Sequence, residues 1–448
     1  MQTNKSSIII IAGGFGTRMK SEIPKVMHRI CGKEMLFLII NEALKLSDDI
    51  IIVLYNKADE IKNALNKHYP NNNFTFHLQD YESFPGTAGA IMQGELKNKA
   101  NPKIPLQTKY DKTIILSGDM PLVRADKLSE FVESPCDIAL GILELDNASG
   151  YGRVVLKDDK VEQIIEEKDA TKEIKKINLA NAGIYYFKKE VLEKYIPLID
   201  SKNNQNEFYL TDIIHLAFKD KLNVRAVVAK ESEFMGVNSK IDLAKAEEFM
   251  LDFLRKKAMK NGVIFRIPNS IYIECDVEFE GECEIESNSV LKGKSKIINS
   301  KILAHSIIED STIINSSIGP FGRIRPKSVV KDTHIGNFVE VKASNLNGIK
   351  AGHLSYIGDS EIDSGTNIGA GVITCNYDGK TKHKTKIGKN VFVGSGSELV
   401  APLEIESNVL IAAGSTITKN AKEGDLVISR SKQENKSGFF YTFFTKNK

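Results

Sequence analysis

Two hydrophobic rhythms run along the chain, and one gives way to the other near residue 240. Before that point, short apolar runs alternate with amphipathic stretches. Ile8–Ile11, Ile50–Tyr55, Phe74–Leu78, Thr113–Leu116, Ile138–Leu143, Ile184–Phe187 and Val224–Val228 read as strands. Met35–Lys45, Ala58–His68, Asp126–Val132 and Leu210–Phe218 read as helices. This alternation predicts an α/β domain with a mostly parallel sheet covered on both faces. In such sheets ligands sit outside the carboxyl ends of the strands. Ser239–Lys260 then predicts a connecting helix, with Ile241, Leu243, Ala244, Phe249, Leu251 and Leu254 as its apolar positions and Gly262 as its stop.

Beyond the helix the period becomes six. Ile267, Ile273, Phe279, Ile285, Leu291 and Ile297 form one unbroken series, and Ile387, Val393, Leu399, Ile405, Ile411 and Ile417 form another. Between them the step persists with slips of phase, as in Ile318, Ile324, Val330 and in Ile335, Val341. One aliphatic per six residues predicts a parallel β-helix of hexapeptide type, three short sides to a coil. The acids from Glu274 to Glu286 suit its solvated outer face. The phase slips predict loops near Val341–Lys350 and Cys375–Lys386, and loops on a rigid scaffold commonly carry function. The expected domains are residues 1–238, a linker helix 239–262, the β-helix 263–430 and a tail 431–448.

Composition narrows the class. The 448 residues are 42% hydrophobic and 27% charged, with a formal net charge of +3. That balance suits a soluble globular protein acting on small anions and predicts no nucleic-acid partner. No apolar stretch approaches the ~20 residues of a membrane span, so no integral membrane association is expected. The five cysteines form no CxxC or His-paired metal spacing. Together with the absence of a secretory pattern, they predict a reduced, cytoplasmic protein.

The first chemistry follows the first strand. Ala12-Gly13-Gly14-Phe15-Gly16-Thr17-Arg18-Met19 brings backbone N–H groups to a turn beside two cations, Arg18 and Lys25. It is neither GxGxxG nor a P-loop. The glycines alone fit a plain tight turn as well as a phosphate site; the whole GGxGTRM…PK string points to phosphate chemistry. That string resembles the sugar-1-phosphate nucleotidyltransferases. Gln79 and Pro85-Gly86-Thr87-Ala88 resemble the base-reading segments of that family. Ser117-Gly118-Asp119-Met120-Pro121 resembles its metal-binding segment, and Gly236-Val237-Asn238 the segment that completes the metal site. Tyr151-Gly152-Arg153, Glu166 with Lys168, and Asn181-Ala182-Gly183 resemble its sugar-binding segments. One Asp and one Asn suit Mg²⁺, which rests on few protein oxygens and on substrate phosphates.

The second chemistry lies on the repeat. His353, in Lys350-Ala351-Gly352-His353-Leu354-Ser355-Tyr356, stands between glycine-flanked units. Arg325 and Lys342 lie upstream, and Asn367, Gly369-Ala370-Gly371 and Thr374-Cys375-Asn376-Tyr377-Asp378-Gly379 lie downstream. With NFVEVK and the ISR segment, these strings resemble the bifunctional bacterial N-acetylglucosamine-1-phosphate uridyltransferase/glucosamine-1-phosphate N-acetyltransferase family over essentially the whole chain. The resemblance implies a Rossmann-like nucleotidyltransferase sheet followed by a left-handed parallel β-helix, a homotrimer, and a role in making UDP-N-acetylglucosamine for bacterial envelope polymers. It implies Mg²⁺ on Asp119 and Asn238, acetyl-CoA as co-substrate, and UTP, glucosamine-1-phosphate and N-acetylglucosamine-1-phosphate as substrates. By the same resemblance Lys25 and Arg18 act on the triphosphate. Ile11, Ala12, Gly13, Gly14, Gln79, Gly86, Thr87, Ser117, Gly118, Gly152, Glu166 and Asn181 complete the uridine and sugar site. His353 is the general base of acetyl transfer, Arg325, Lys342, Tyr356 and Asn367 hold the amino-sugar phosphate, and Ala370, Asn376, Tyr377, Ser395, Ala413 and Arg430 hold acetyl-CoA.

Two rival readings follow from the residues alone: a β-helix serving only as a trimerisation scaffold, and a non-catalytic relative. KAGHLSY and TCNYDG argue against the first, and intact Arg18, Lys25, Asp119, Asn238 and His353 against the second. A covalent acyl route through Cys375 is a further alternative to direct transfer. The chain departs from the family pattern at Phe15, Gly89, Ala182 and the lengthened Tyr81–Pro85 loop, and in its aromatic tail, which is expected to pack on a trimer or to remain partly disordered.

Overall fold

The computed structural model describes residues 5–93, 103–133 and 135–445. They divide into two compact units, 1–250 and 251–448, and the division falls within the helix Lys240–Lys260.

Unit one is built on a mixed sheet. Its strands are β1 (Ser7–Ile11), β2 (Ile50–Leu54), β3 (Thr75–Leu78), β4 (Lys112–Ser117), β5 (Ile138–Glu144), β6 (Arg153–Lys157), β7 (Lys160–Ile165), β8 (Leu179–Lys188) and β9 (Val224–Ala229). The order is β7-β6-β8-β4-β1-β2-β3, with β5 paired to both β8 and β9. The strands β4, β1, β2 and β3 are mutually parallel. The unbroken Ile8-Ile9-Ile10 run is explained by burial on both faces. Ile8 and Ile10 pack with Leu36 and Ile40, whereas Ile9 packs with Ile51 and Ile115 on the other side. In register, Ile11 lies beside Val53 on one side and Ser117 on the other. The loops that follow β1, β2 and β4 therefore leave the sheet at one edge.

The antiparallel part was less legible. Ile184–Phe187 is the end of a ten-residue strand, β8, that runs antiparallel to β4 and β5. The β6–β7 hairpin lies outside the strands that the hydrophobic pattern predicts. Its turn residues Asp158 and Asp159 both have positive φ, 52° and 58°, the geometry in which Asp is tolerated at a tight hairpin.

Unit two is a stack of coils with three parallel sheets of ten, nine and eight strands among the described residues. Inward aliphatics pile up from coil to coil, as in the column Ile308, Ile324, Val341, Ile357, whose members are all fully buried. Buried serines and threonines line the corners and satisfy the turning backbone. Ser316 Oγ donates to the Ile314 carbonyl at 2.6 Å and accepts from the Thr333 N–H at 3.0 Å. Many corners take a left-handed residue; one column of them is Asn288, His305, Phe321, Phe338 and Leu354.

Two features of the predicted repeat need correction. Ile267 does not point inward: it is a left-handed corner residue ahead of Pro268, 68% exposed, and Ile271 and Ile273 fill the core there. Val341–Lys350 is no excursion. It carries the paired strands Glu340–Lys342 and Asn345–Asn347, with Leu346 inward, and the slip of phase is a corner one residue shorter at Ala343. Cys375–Lys386 does leave the coil. Asn345 pairs with Glu361, sixteen positions on, but Ser360 pairs with Thr385, twenty-five positions on. Within the tail, Phe439–Thr445 forms a short helix whose five aromatic rings are all exposed.

Because each inward residue touches the coils above and below, Ile324→Ala should cost about 2–5 kcal/mol, whereas Ile267→Ala should leave stability unchanged. Chemical denaturation followed by circular dichroism reads both.

Candidate active sites

In unit one, three segments far apart in sequence meet at the carboxyl edge of β1 and β4. The Lys25 ammonium forms an ion pair with Asp119 and also donates to Asn238 Oδ1 at 3.2 Å. Arg18 Nη2 donates to the same Asn238 oxygen at 2.7 Å. Asp119 is buried and follows directly on β4 through Gly118. Its carbonyl accepts from the Val237 N–H at 2.9 Å, which ties the Gly236-Val237-Asn238 segment to it. Asn238 and Ser239 donate their N–H groups to Asp242 at 3.0 and 2.8 Å, so the start of the 240–260 helix fixes Asn238. A Cβ at Gly16 would lie 2.7 Å from Lys25 Cβ. Glycine there, with φ 61°, is what lets the loop close on Lys25.

Among the described residues no group of three or more His, Cys, Asp or Glu side chains converges as a metal cage. Asp119 and Asn238 do converge, and a Cβ at Gly236 would lie 3.8 Å from Asp119 Oδ1 and 3.9 Å from the Asn238 amide. Two hard oxygen donors beside two cations fit Mg²⁺ bound together with phosphates.

The other predicted residues of this unit lie on strand ends and loops. Ile11, Ala12, Gly13 and Gly14 continue β1, and Ser117 ends β4. The Gln79 amide is buried and donates to the carbonyls of Phe84 and Gly86 at 3.0 and 3.2 Å, so it shapes the loop as well as facing it. A Cβ at Gly86, φ 94°, would lie 2.6 Å from the Phe208 carbonyl, and Thr87 Oγ1 accepts from Leu210 N–H at 3.0 Å. Glu166 sits beside Gly152 and accepts from Thr211 Oγ1 at 3.2 Å. Burial pushes its carboxyl well above the usual range. Asn181 donates to the Tyr185 hydroxyl at 2.6 Å and accepts from Gly183 N–H. Arg153, in contrast, turns inward and pairs with Glu167 at 2.8 Å. Gly89 has a packing reason: a Cβ there would lie 2.0 Å from the Phe84 carbonyl oxygen of the lengthened loop.

In unit two a second polar cluster surrounds the hairpin of the excursion. Lys342 Nζ and Asn376 Nδ2 both donate to Asp359 Oδ2, at 3.3 and 2.5 Å. Asn376 also reaches the Tyr356 hydroxyl at 3.4 Å. Gly358 makes this possible, since a Cβ there would lie 2.5 Å from that hydroxyl. Lys382, missed in the sequence, faces Lys342; the neighbouring ammonium holds its own below the ordinary lysine value, with Arg325 adding to the effect. The bridge between Tyr377 and Lys382 across the hairpin brings it there, a pairing that no local sequence pattern signals. Arg325 pairs with Glu340 at 2.8 Å. His353 is exposed, at the end of the strand Lys350–His353 and next to Asn337 on the neighbouring coil. Asn367 pairs with Lys350 in the same sheet.

Four of the six predicted acetyl-CoA residues form a ladder along the last coils, while Asn376 and Tyr377 lie on the protruding hairpin. Gly396 N–H donates to Ala370 O, Gly414 N–H to Ser395 O, and Arg430 Nη1 to Ala413 O at 2.8 Å. The glycines Gly371, Gly396 and Gly414 turn this corner with φ of 75°, 66° and 70°, and around the last two a Cβ would meet nothing. The corner is open at Gly396 and Gly414. Burial and Glu398 push the Cys375 thiol up, the opposite of what a nucleophilic thiolate needs.

Comparison with known proteins agrees with both halves. Residues 7–252 match the nucleotidyl transferase family model, and residues 384–419 match the bacterial transferase hexapeptide model of six repeats. The chain is 51% identical to the bifunctional protein GlmU of a Nitratiruptor species, with 98% of this chain and 99% of the relative covered. It is 54% identical to GlmU of Helicobacter hepaticus, with 98% of each covered, and 48% identical to that of Campylobacter lari, with 99% of this chain and 100% of the relative covered. With two differently built polar clusters on its two units and full-length likeness to such relatives, the chain belongs to the bifunctional GlmU family of uridyltransferase/acetyltransferases.

Proposed function

We propose that the Lys25–Asp119–Asn238–Arg18 cluster carries uridylyl transfer and that the His353 edge of the β-helix carries acetyl transfer, the two steps that turn glucosamine-1-phosphate into UDP-N-acetylglucosamine. The observation that carries the reading is that each unit has its own anion-ready cluster: Arg18 and Lys25 on a buried carboxylate in one, Lys342 against Lys382 in the other. Two ammoniums held side by side are stabilised by an anion between them.

In uridylyl transfer a phosphate oxygen of N-acetylglucosamine-1-phosphate attacks the α-phosphorus of UTP, and pyrophosphate leaves. Such a reaction needs alignment and charge neutralisation more than covalent help. Lys25 and Arg18 offset phosphate charge, and the bare loop at Gly13 and Gly14 offers backbone N–H groups to the uridine end. Asp119 and Asn238 would hold Mg²⁺, which supplies further neutralisation of the triphosphate. Glu166 and Asn181 accept and donate to sugar hydroxyls. In acetyl transfer Lys342, Lys382, Arg325, Tyr356 and Asn367 hold the sugar phosphate. His353 takes a proton from the amine, the nitrogen attacks the thioester carbonyl carbon, and the coenzyme thiol leaves. Ala370, Asn376, Tyr377, Ser395, Ala413 and Arg430 seat acetyl-CoA along the open corner.

A homotrimer and a cytoplasmic location complete the reading. The trimer is supported by an apolar column on one corner: His305 stacks on Phe321 at 4.8 Å, Phe321 on Phe338 at 5.0 Å, and Leu354 follows, adjacent to His353. Phe321, Phe338 and Leu354 are 45%, 57% and 64% exposed, an apolar strip of the kind that marks a protein–protein contact. No described helix is long and apolar enough to cross a membrane.

Asp119→Asn should abolish formation of UDP-N-acetylglucosamine from UTP and leave thiol release from acetyl-CoA intact, whereas His353→Ala should lower thiol release about 10²–10⁴-fold and leave the first activity intact; loss of both activities in either folded variant refutes separate sites. Lys382→Ala should raise KM for glucosamine-1-phosphate about tenfold, the effect of one charge-assisted contact, with KM for acetyl-CoA unchanged in steady-state assays. Phe338→Lys should shift the sedimentation coefficient from trimer to monomer, and a trimer that survives it removes this corner from the interface.

A further inference from the structure

Three aromatic rings crown the nucleotide edge of unit one, and none belongs to the site as the family resemblance draws it. Phe15 follows β1, Tyr55 follows β2 and Tyr81 follows β3, so three adjacent parallel strands each deliver one ring to the same edge. Tyr55 and Tyr81 stack at 5.0 Å with 22° between their planes. Phe15 meets both edge-on, at 5.5 Å and 83° to Tyr55 and at 5.3 Å and 89° to Tyr81. Stacked and edge-to-face pairs at these separations are the favourable arrangements of aromatic quadrupoles. Phe15 nevertheless stays 50% exposed.

The loops that carry these rings are otherwise held from beneath. The Gly13 carbonyl accepts from Asn56 N–H at 3.3 Å, and a Cβ at Gly13 would lie 3.0 Å from Tyr55 Cβ. The 80–86 loop is tied to itself: Ser83 N–H donates to Asp80 Oδ1, Phe84 N–H donates to Asp80 O, and Gln79 binds the Phe84 and Gly86 carbonyls. Tyr81 also faces Glu207: burial, together with the Glu207 charge, pushes the Tyr81 hydroxyl up. Glu207 is next to Phe208, whose backbone clasps Pro85 and Ala88. Three departures from the family pattern thus fall into one unit. The lengthened loop brings in Tyr81, its Phe84 carbonyl occupies the space beside Gly89, and Phe15 supplies the ring that Tyr81 meets.

We propose that Phe15, Tyr55 and Tyr81 form an aromatic latch that joins the glycine loop to the 79–86 loop and thereby sets the affinity of the site for the base-bearing end of UTP. The proposal rests on the nucleotide reading of this edge. The latch is a positioning device. It holds the Gly13–Gly14 backbone and the Gln79–Gly86 loop at a fixed separation, so a nucleotide enters a preformed slot rather than ordering two loops as it binds. The triphosphate, gripped by Arg18 and Lys25, does not depend on it.

Calorimetric titration of UTP and of inorganic tripolyphosphate, each with Mg²⁺, tests this in the wild type, Phe15→Ala, Tyr81→Ala, the double variant and Tyr81→Phe. The latch requires UTP to bind about tenfold more weakly in either alanine variant, with tripolyphosphate affinity unchanged. It also requires the double variant to lose little more than either single one, because both break one contact. Tyr81→Phe keeps the ring and should retain most of the affinity. In steady state, KM for UTP should rise with kcat changed less than about twofold. Wild-type UTP affinity in both alanine variants, or an equal loss for tripolyphosphate, overturns the latch alone. A wild type that binds tripolyphosphate no more weakly than UTP overturns both the latch and the nucleotide reading under it. Identical melting temperatures across the set show that the fold is not the cause.

Discussion

Parallel register is the constraint on which this molecule rests. A parallel ladder fixes which residue stands beside which, and it leaves every strand of a sheet ending at the same side. In unit one it places Ile11, Val53 and Ser117 abreast, so the segments after them share one rim and Arg18, Lys25 and Asp119 can meet. In unit two it stacks Ile308, Ile324, Val341 and Ile357 and so aligns whatever projects from the corners. In unit one the candidate site gathers what leaves the ladder, whereas in unit two Lys342, His353, Tyr356 and Asn367 stand on the ladder's own strands and Asn376 and Lys382 come from the protrusion beside them.

The two sites solve the same electrostatic task in different ways. In unit one the cations are satisfied internally, by a buried carboxylate and an amide oxygen. Taking a charge out of water is costly unless it is paired, and here the partners are the groups that would bind a metal. In unit two Lys342 and Lys382 share one carboxylate neighbour, Asp359, and stand against each other. Under the proposed function, that arrangement would receive the sugar phosphate without any metal, and the corner by Gly396 and Gly414 would seat the acyl donor.

Much of this was legible in the residues. The Ile8–Ile11 run, the GGxGTRM string and Asp119 at a strand end each combine a local pattern with a local cause, and they lie where expected. The six-residue step located the β-helix, since inward aliphatics recur whatever the loops do. What was illegible depended on distance or on corners. Lys382 reaches Lys342 across a hairpin, and Ile267 keeps the period but sits on a corner ahead of Pro268, where a left-handed backbone turns it outward. The β6–β7 hairpin is signalled only by its turn chemistry, the left-handed Asp158-Asp159 pair, and by no hydrophobic period.

The lengthened coil between Cys375 and Thr385 has a broader meaning. Nine extra positions relative to its neighbour protrude there, yet the sides above and below pair without a break. A scaffold that can swell on one flank while the rest stays put separates recognition from support. Substrate preference on such a framework can drift by splicing new protrusions into single rungs, with the supporting stack inherited intact.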